Sequence, residues 1–124
     1  MASTLDSFAG IEEGQCSTRP PLFNGTNYSY WKERMQIFVQ SNSFHLWKVF
    51  TNGNQIPTKK VEDEWVPKTE EEYTAEDIRK VQNNAKAINL LYCAVNANDY
   101  RKISCCKTAK EMWDKLEVTY EGTD

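Results

Sequence analysis

Apolar residues between positions 74 and 96 recur at alternating steps of three and four, which is typical of an amphipathic α-helix. Thr74 stands three residues before Asp77, an approximate capping box at the start of this stretch. The helix would rise roughly 30 Å over its length. It is therefore predicted to be the long central helix of a small domain. Its buried face is expected to carry Ile78, Val81, Ala85, Ile88, Tyr92 and Val95.

Another helix is predicted near the C-terminal end of the sequence. Thr108 and Glu111 have the spacing of a capping box, and Gly122 can take the left-handed conformation that ends a helix. The apolar stripe of this helix consists of Ala109, Met112, Trp113, Leu116 and Tyr120. A segment rich in Asn and Asp separates it from the central helix, and a short helix or turn is expected there. The two helices would then form a C-terminal helical hairpin.

Two shorter helices are predicted in the N-terminal half of the sequence. The first has Tyr28, Trp31, Met35 and Phe38 on one face, and Thr26 or Asn27 could cap it. Polar residues at 41–43 end this helix, and the second carries Leu46, Trp47 and Phe50. Before them, two consecutive prolines exclude a helix. Residues 1–21 are therefore predicted to be a flexible N-terminal arm, with Leu22 and Phe23 as the first anchors of the fold.

The charged stretch at 52–73 has two prolines and no sustained hydrophobic period. We expect a long exposed loop there, and loops of this length are often functional. The alternation of apolar and polar residues from Val61 to Val66 leaves a short strand or hairpin open as an alternative.

These patterns predict one all-α domain, a small bundle of about five helices at residues 22–124. The expected elements are helices at 27–41 and 44–51, a loop at 52–73, the long helix at 75–95, a short helix or turn at 98–104, and a helix at 108–121. The predicted core consists of Tyr28, Trp31, Met35, Phe38, Trp47, Phe50, Ile78, Val81, Ala85, Ile88, Tyr92, Val95, Met112, Trp113 and Leu116.

Composition supports a folded domain without an active site. Apolar residues make up 40% of the chain, more than a disordered chain contains, and the net charge of −3 disfavours a domain that grips nucleic acid directly. His45 is the one histidine, and the four cysteines lack the spacing of a zinc site. No catalytic, cofactor-binding or metal-binding residue is therefore predicted. The N-terminus lacks the features of a secretory signal, and no apolar run approaches the ~20 residues of a membrane span. We expect reduced cysteines and a cytoplasmic protein with no membrane partner.

Five short islands of sequence, in a fixed order, resemble one protein family. They run from Leu22 to Trp31, over Leu46–Trp47 and Ala85–Ile88, and then as Lys107–Leu116 and Tyr120–Thr123. Their amino-acid sequences resemble the N-terminal part of the Gag polyprotein of plant copia-type LTR retrotransposons. The resemblance implies a capsid-like helical domain that self-associates into virus-like particles, which package the RNA of the element.

The resemblance also sets expectations for partners. In such Gag proteins a zinc knuckle that follows the capsid region binds RNA. This chain is therefore expected to contact RNA only indirectly, through downstream regions, and its main partner would be a second copy of itself. Family contacts cannot be transferred residue by residue, so the candidate interaction face comes from helical geometry. It consists of Tyr30, Arg34 and Ile37, opposite the Trp31 stripe. A host-adopted adaptor that binds another protein is the alternative, and the chain could be a fragment, an element remnant or a host gene.

Overall fold

The computed structural model describes residues 19–53 and 55–121, so most of the predicted N-terminal arm lies outside the described residues. These residues form five α-helices, one small antiparallel sheet and a short 3-10 helix, which confirms the mainly α fold class. The elements are α1 Tyr28–Asn42, α2 Phe44–Asn52, β1 Thr58–Val61, β2 Glu64–Pro67, a 3-10 helix Glu70–Glu72, α3 Ala75–Cys93, α4 Ala97–Ile103 and α5 Ala109–Glu121.

Side-chain caps begin most of the helices. Thr74 and Asp77 exchange reciprocal bonds with each other's backbone N–H groups at the start of α3. Thr108 and Glu111 do the same before α5, at 3.2 and 3.3 Å. Asn27 precedes α1 in a left-handed conformation, and neither it nor Thr26 caps that helix, because the N-cap makes no side-chain bond there. The expected stop at Gly122 lies outside the described residues.

Aromatic rings form the centre of the core. The Phe23 ring is fully buried, and its centroid lies 5.1 Å from that of Trp31 and 4.8 Å from that of Tyr120. Trp113 joins this cluster to α2 through Phe50, at 5.4 Å. Of the residues expected in the core, the buried ones are Tyr28, Trp31, Met35, Phe50, Val95, Met112, Trp113 and Leu116, and the half-buried ones are Phe38, Trp47, Ile88 and Tyr92.

The predicted core face of the central helix is wrong in its N-terminal half. Ile78 is 47% exposed and Val81 36% exposed, and Ala85 is exposed as well. The buried apolar residues of α3, Ala87 and Leu91, lie roughly on the opposite side of the helix. Near the middle of α3 this inner face carries a polar and a small residue, Asn84 and Ala87, and Asn84 bonds to the start of α5. The inner-face residue Asn84 donates to the Lys107 carbonyl oxygen at 3.1 Å and accepts the Ala109 N–H at 3.0 Å.

The expected loop at 52–73 is also corrected, because β1 and β2 form an antiparallel hairpin within it. Thr58 pairs with Pro67, and Val61 pairs with Glu64. Glu62 and Asp63 make the two-residue turn, both with positive φ, at 50° and 69°. Two positive φ angles give a turn whose twist matches that of the strands, so the alternating pattern forms the hairpin that the sequence left open.

A buried polar network holds α4 against the end of α5. The Asp99 side chain is fully buried and accepts hydrogen bonds from the Tyr120 hydroxyl and from Asn96 Nδ2, the latter at 2.9 Å. Lys102 Nζ lies 3.6 Å from the same carboxylate. The bond to Asp99 raises the pKa of the Tyr120 phenol, and burial adds to the shift. The carboxylate is thus compensated, as a buried charge must be.

Exchanging exposed α3 residues tests the corrected core face. We expect Ile78→Lys and Val81→Lys each to change the free energy of unfolding by less than about 0.5 kcal/mol, because both side chains already contact water. Leu91→Ala, the control on the inner face, should cost roughly 2–5 kcal/mol. Urea unfolding followed by circular dichroism measures all three. A loss of several kcal/mol from either lysine variant would contradict this orientation of α3.

Two stacked tyrosines should respond oppositely to removal of the hydroxyl. The rings of Tyr28 and Tyr120 lie 5.8 Å apart, but the Tyr28 hydroxyl is buried with no hydrogen-bond partner among the described residues. Tyr28→Phe should therefore raise the free energy of unfolding by about 1 kcal/mol. Tyr120→Phe should lower it by a similar amount, because it removes one of the donors to the buried Asp99 carboxylate. Equal effects of the two variants would contradict the assignment.

The buried phenol of Tyr28 also predicts a loss of stability in alkali. Burial raises the pKa of Tyr28 well above its usual value, so the folded state keeps a proton that the unfolded chain releases near pH 10. The stabilisation is present below that pH and is lost as the pH rises further. We expect Tyr28→Phe to show a smaller loss of stability between pH 8 and pH 11 than the wild type, in the same urea assay.

Candidate functional site

The described residues bring no catalytic cluster together. Within residues 19–53 and 55–121, no three His, Cys, Asp or Glu side chains lie close enough to hold a metal ion. Cys93, Cys105 and Cys106 are free thiols. Burial raises the pKa of the Cys106 thiol, and the neighbouring Cys105 adds to this, so the nucleophilic thiolate is disfavoured. His45 lies on α2 and lines a pocket in which no cysteine takes part.

The predicted interaction face forms one continuous stripe along α1. Tyr30 is 65% exposed and Ile37 57% exposed, while Arg34 lies between them with its guanidinium carbon 5.7 Å from the Tyr30 ring centroid. This geometry is a cation–π contact. The structure therefore brings together the three residues that the sequence selected, here called the α1 face.

The side of α1 opposite the α1 face is anchored in the core. Trp31, Met35 and Val39 on the inner side of α1 are buried in the core. The indole N–H of Trp31 donates to the Pro21 carbonyl oxygen at 2.8 Å, which fixes the incoming chain beside the helix. Exposed surface on a helix with a rigid core side is preorganised for contact, because little conformational entropy is lost on binding.

Leu22 extends the α1 face, which the sequence did not indicate. It is 65% exposed rather than an anchor of the core, and it lines a cleft of about 150 Å³ together with Tyr30 and Arg34. The buried Phe23 next to it provides the anchor instead. The signal that could have separated them is the alternation of an extended chain, whose successive side chains point to opposite sides.

The hairpin also carries an exposed aromatic side chain. Trp65 in β2 is 67% exposed. The open end of the hairpin is held by two ion pairs. One joins Lys59 to Glu72, and in the other Lys68 Nζ lies 2.6 Å from Asp77 Oδ2. The bond from Lys68 lowers the pKa of the Asp77 carboxyl, and the Thr74 backbone N–H adds to this. One ion pair thus links the hairpin to the 3-10 helix, and the other links the residue after the hairpin to the start of α3.

Acid should weaken this link. Because the folded-state pKa of Asp77 is below its unfolded value near 4, the contribution is present above that value and is lost as the pH falls through the folded pKa. We expect Asp77→Asn to be less stable than the wild type at pH 6, with the difference shrinking toward pH 3. Urea midpoints measure it, and Glu62→Gln in the exposed turn serves as the control. A difference that does not depend on pH would contradict the ion-pair argument.

The described chain is thus a small, mainly α-helical domain whose distinctive chemistry lies on exposed surfaces. A family model described as the gag-polypeptide of LTR copia-type matches residues 35–124, well over half of the chain. Searches of curated proteins and of solved structures found no match. The chain belongs to the copia-type Gag polypeptide family of LTR retrotransposons, which is a structural, non-catalytic part of a polyprotein.

The matched segment begins at Met35, within α1, so Tyr30 and Arg34 lie before it. No helix in residues 19–53 or 55–121 has the length and apolar character that crossing a membrane requires.

Proposed function

We propose that this chain is a capsid-like domain of a plant copia-type Gag protein, and that it self-associates toward virus-like particles. The observation that carries the proposal is the α1 face, a rigidly supported stripe of exposed apolar and aromatic residues on a Gag-family domain. Tyr and Arg are among the residues that contribute most to binding energy at protein interfaces. RNA would be packaged through other regions of the Gag protein, in the cytoplasm.

The size of the α1 face favours weak contacts. Fully burying one large apolar side chain contributes roughly 1.5–3 kcal/mol, while association costs at least about 4 kcal/mol. Tyr30, Ile37 and Leu22 together therefore support a contact that is weak for a single pair of molecules. Many such contacts in one assembly reinforce one another, because each neighbour already bound raises the effective concentration of the next. Weak, repeated pairing suits a particle that must correct errors as it grows.

The cleft beside Leu22 supports a second function, that of a host-adopted adaptor. Its volume of about 150 Å³ is enough for one apolar side chain, and Arg34 lines it. A peptide with an apolar anchor next to a carboxylate would fit this combination. In that case the chain would remain monomeric and the same residues would bind a different protein.

The test compares two variants that differ in where charge is introduced. Tyr30→Ala combined with Ile37→Asp removes the apolar part of the α1 face, and Val118→Asp places the same charge on an exposed valine of α5. We expect the double variant to weaken self-association at least tenfold, and Val118→Asp to leave it unchanged. Sedimentation equilibrium over a wide concentration range measures the dissociation constant.

Two outcomes would contradict the proposal. A wild-type chain that stays monomeric at all concentrations excludes self-association as its own activity. If the chain associates but both variants weaken it equally, the contact does not involve the α1 face.

A further inference from the structure

A pocket of about 270 Å³ lies between α2 and the first turns of α3. The residues that line it follow the same helical spacing on both sides. On α2 they include His45, Lys48 and Asn52, and on α3 they include Glu76, Arg79, Lys80 and Asn83. Positions three, four and seven apart share one face of a helix, so the two helices present these faces to a common space. We call it the α2–α3 pocket.

Positive charge is concentrated in the α2–α3 pocket although the whole chain has a net charge of −3. Lys48, Arg79 and Lys80 contribute three positive charges, against the single carboxylate of Glu76. The local balance is therefore +2 with His45 neutral. A terminal phosphate group carries about −1.5 to −2 charges near neutral pH and a backbone phosphodiester carries about −1, so the local balance favours either kind of phosphate.

The cations of the pocket are weakly engaged by the protein itself. Within the described residues, neither Lys48 nor Lys80 forms an ion pair. Lys80 is half-buried, and the Lys48 ammonium lies 5.9 Å from the Phe44 ring centroid. Arg79 contacts Glu76 at 3.8 Å, a long distance for an ion pair, and both side chains are more than half exposed. Exposed pairs of this kind contribute little free energy, so an anion can replace the partner.

Neutral donors also line the pocket. The Asn52 and Asn83 amides stand among the cations, and an amide can donate to a phosphate oxygen without adding charge. Arg79 can form paired N–H bonds to two phosphate oxygens, whereas lysine acts as a compact point charge. This mixture of one guanidinium, two ammonium groups and amides at the rim of a concave site is suited to a phosphate group, and Val49 and the helix backbones supply its apolar walls.

We propose that the α2–α3 pocket is a binding site for phosphate groups, either those of a free oligophosphate or those of an RNA backbone. The site uses none of the α1 face residues, so it is independent of the proposed self-association. It also qualifies the expectation from net charge, because a local cluster of cations can bind phosphate in an acidic chain.

The first experiment uses inorganic triphosphate as the probe. Titration into the ¹⁵N-labelled protein, with sodium chloride added to a matched reference for ionic strength, should shift the amide resonances of α2 and α3 that line the pocket. We expect Lys80→Gln and Arg79→Gln each to weaken binding about tenfold. Lys86→Gln is the matched control, because Lys86 is an exposed lysine of α3 that does not line the pocket, and it should have little effect.

A variant that strengthens binding distinguishes a specific phosphate site from non-specific electrostatic attraction. Glu76→Gln removes the one carboxylate and frees Arg79, so it should strengthen triphosphate binding severalfold. Circular dichroism melting confirms that each variant is folded. The double variant Tyr30→Ala with Ile37→Asp should bind triphosphate like the wild type, which keeps this test separate from that of self-association.

A twelve-nucleotide uridine RNA distinguishes the source of the phosphate. The pocket is assigned to a nucleic-acid backbone if the RNA binds and triphosphate displaces it. In that case the slope of log affinity against log salt concentration should be smaller by about one in Lys80→Gln than in the wild type. Triphosphate binding without RNA binding assigns it to a free oligophosphate. The proposal is overturned if neither probe shifts the pocket resonances, or if Lys86→Gln reduces binding as much as Lys80→Gln.

Discussion

The insertion of Phe23 into the helical bundle is the constraint on which the rest of the structure depends. Its ring is fully buried against the rings of Tyr28, Trp31 and Tyr120. Its backbone N–H donates to the Ala94 carbonyl oxygen at 2.7 Å, and the Asn96 amide donates to its carbonyl oxygen at 3.3 Å. One residue thus joins the start of α1, the turn after α3 and the end of α5. The exposed α1 face keeps its orientation because the chain before it is fixed at this point.

Sequence patterns predicted helices more accurately than they predicted what each helix contacts. The spacing of Thr74 and Asp77 marked the start of α3, because capping depends only on near neighbours. The predicted core face of α3 was wrong in its N-terminal half because the helix bonds through Asn84, on its other side, to the start of α5. A periodicity argument assumes that the most apolar face is buried. It fails where hydrogen bonds from a distant segment satisfy a more polar face.

The two candidate sites also differ in whether the sequence alone could predict them. Tyr30, Arg34 and Ile37 could be selected from sequence because they lie opposite the buried Trp31 on a single helix, and one helix has a known geometry. The α2–α3 pocket could not, since Lys48 and Lys80 are ordinary surface lysines until the packing of two helices brings them to one space. The hairpin was open to either reading, because its turn at Glu62 and Asp63 lacks the glycine that usually marks such turns.

The exposed position of Trp65 distinguishes its fluorescence from that of the other three tryptophans. Trp31 and Trp113 are buried and Trp47 is half-buried, so their indoles are wholly or partly shielded from water. Trp65 alone among the four tryptophans is largely exposed on the hairpin. Its fluorescence should therefore lie at longer wavelength than that of the others and be quenched more readily by iodide. The intrinsic emission of the unmodified protein thus separates events at the hairpin from events in the core.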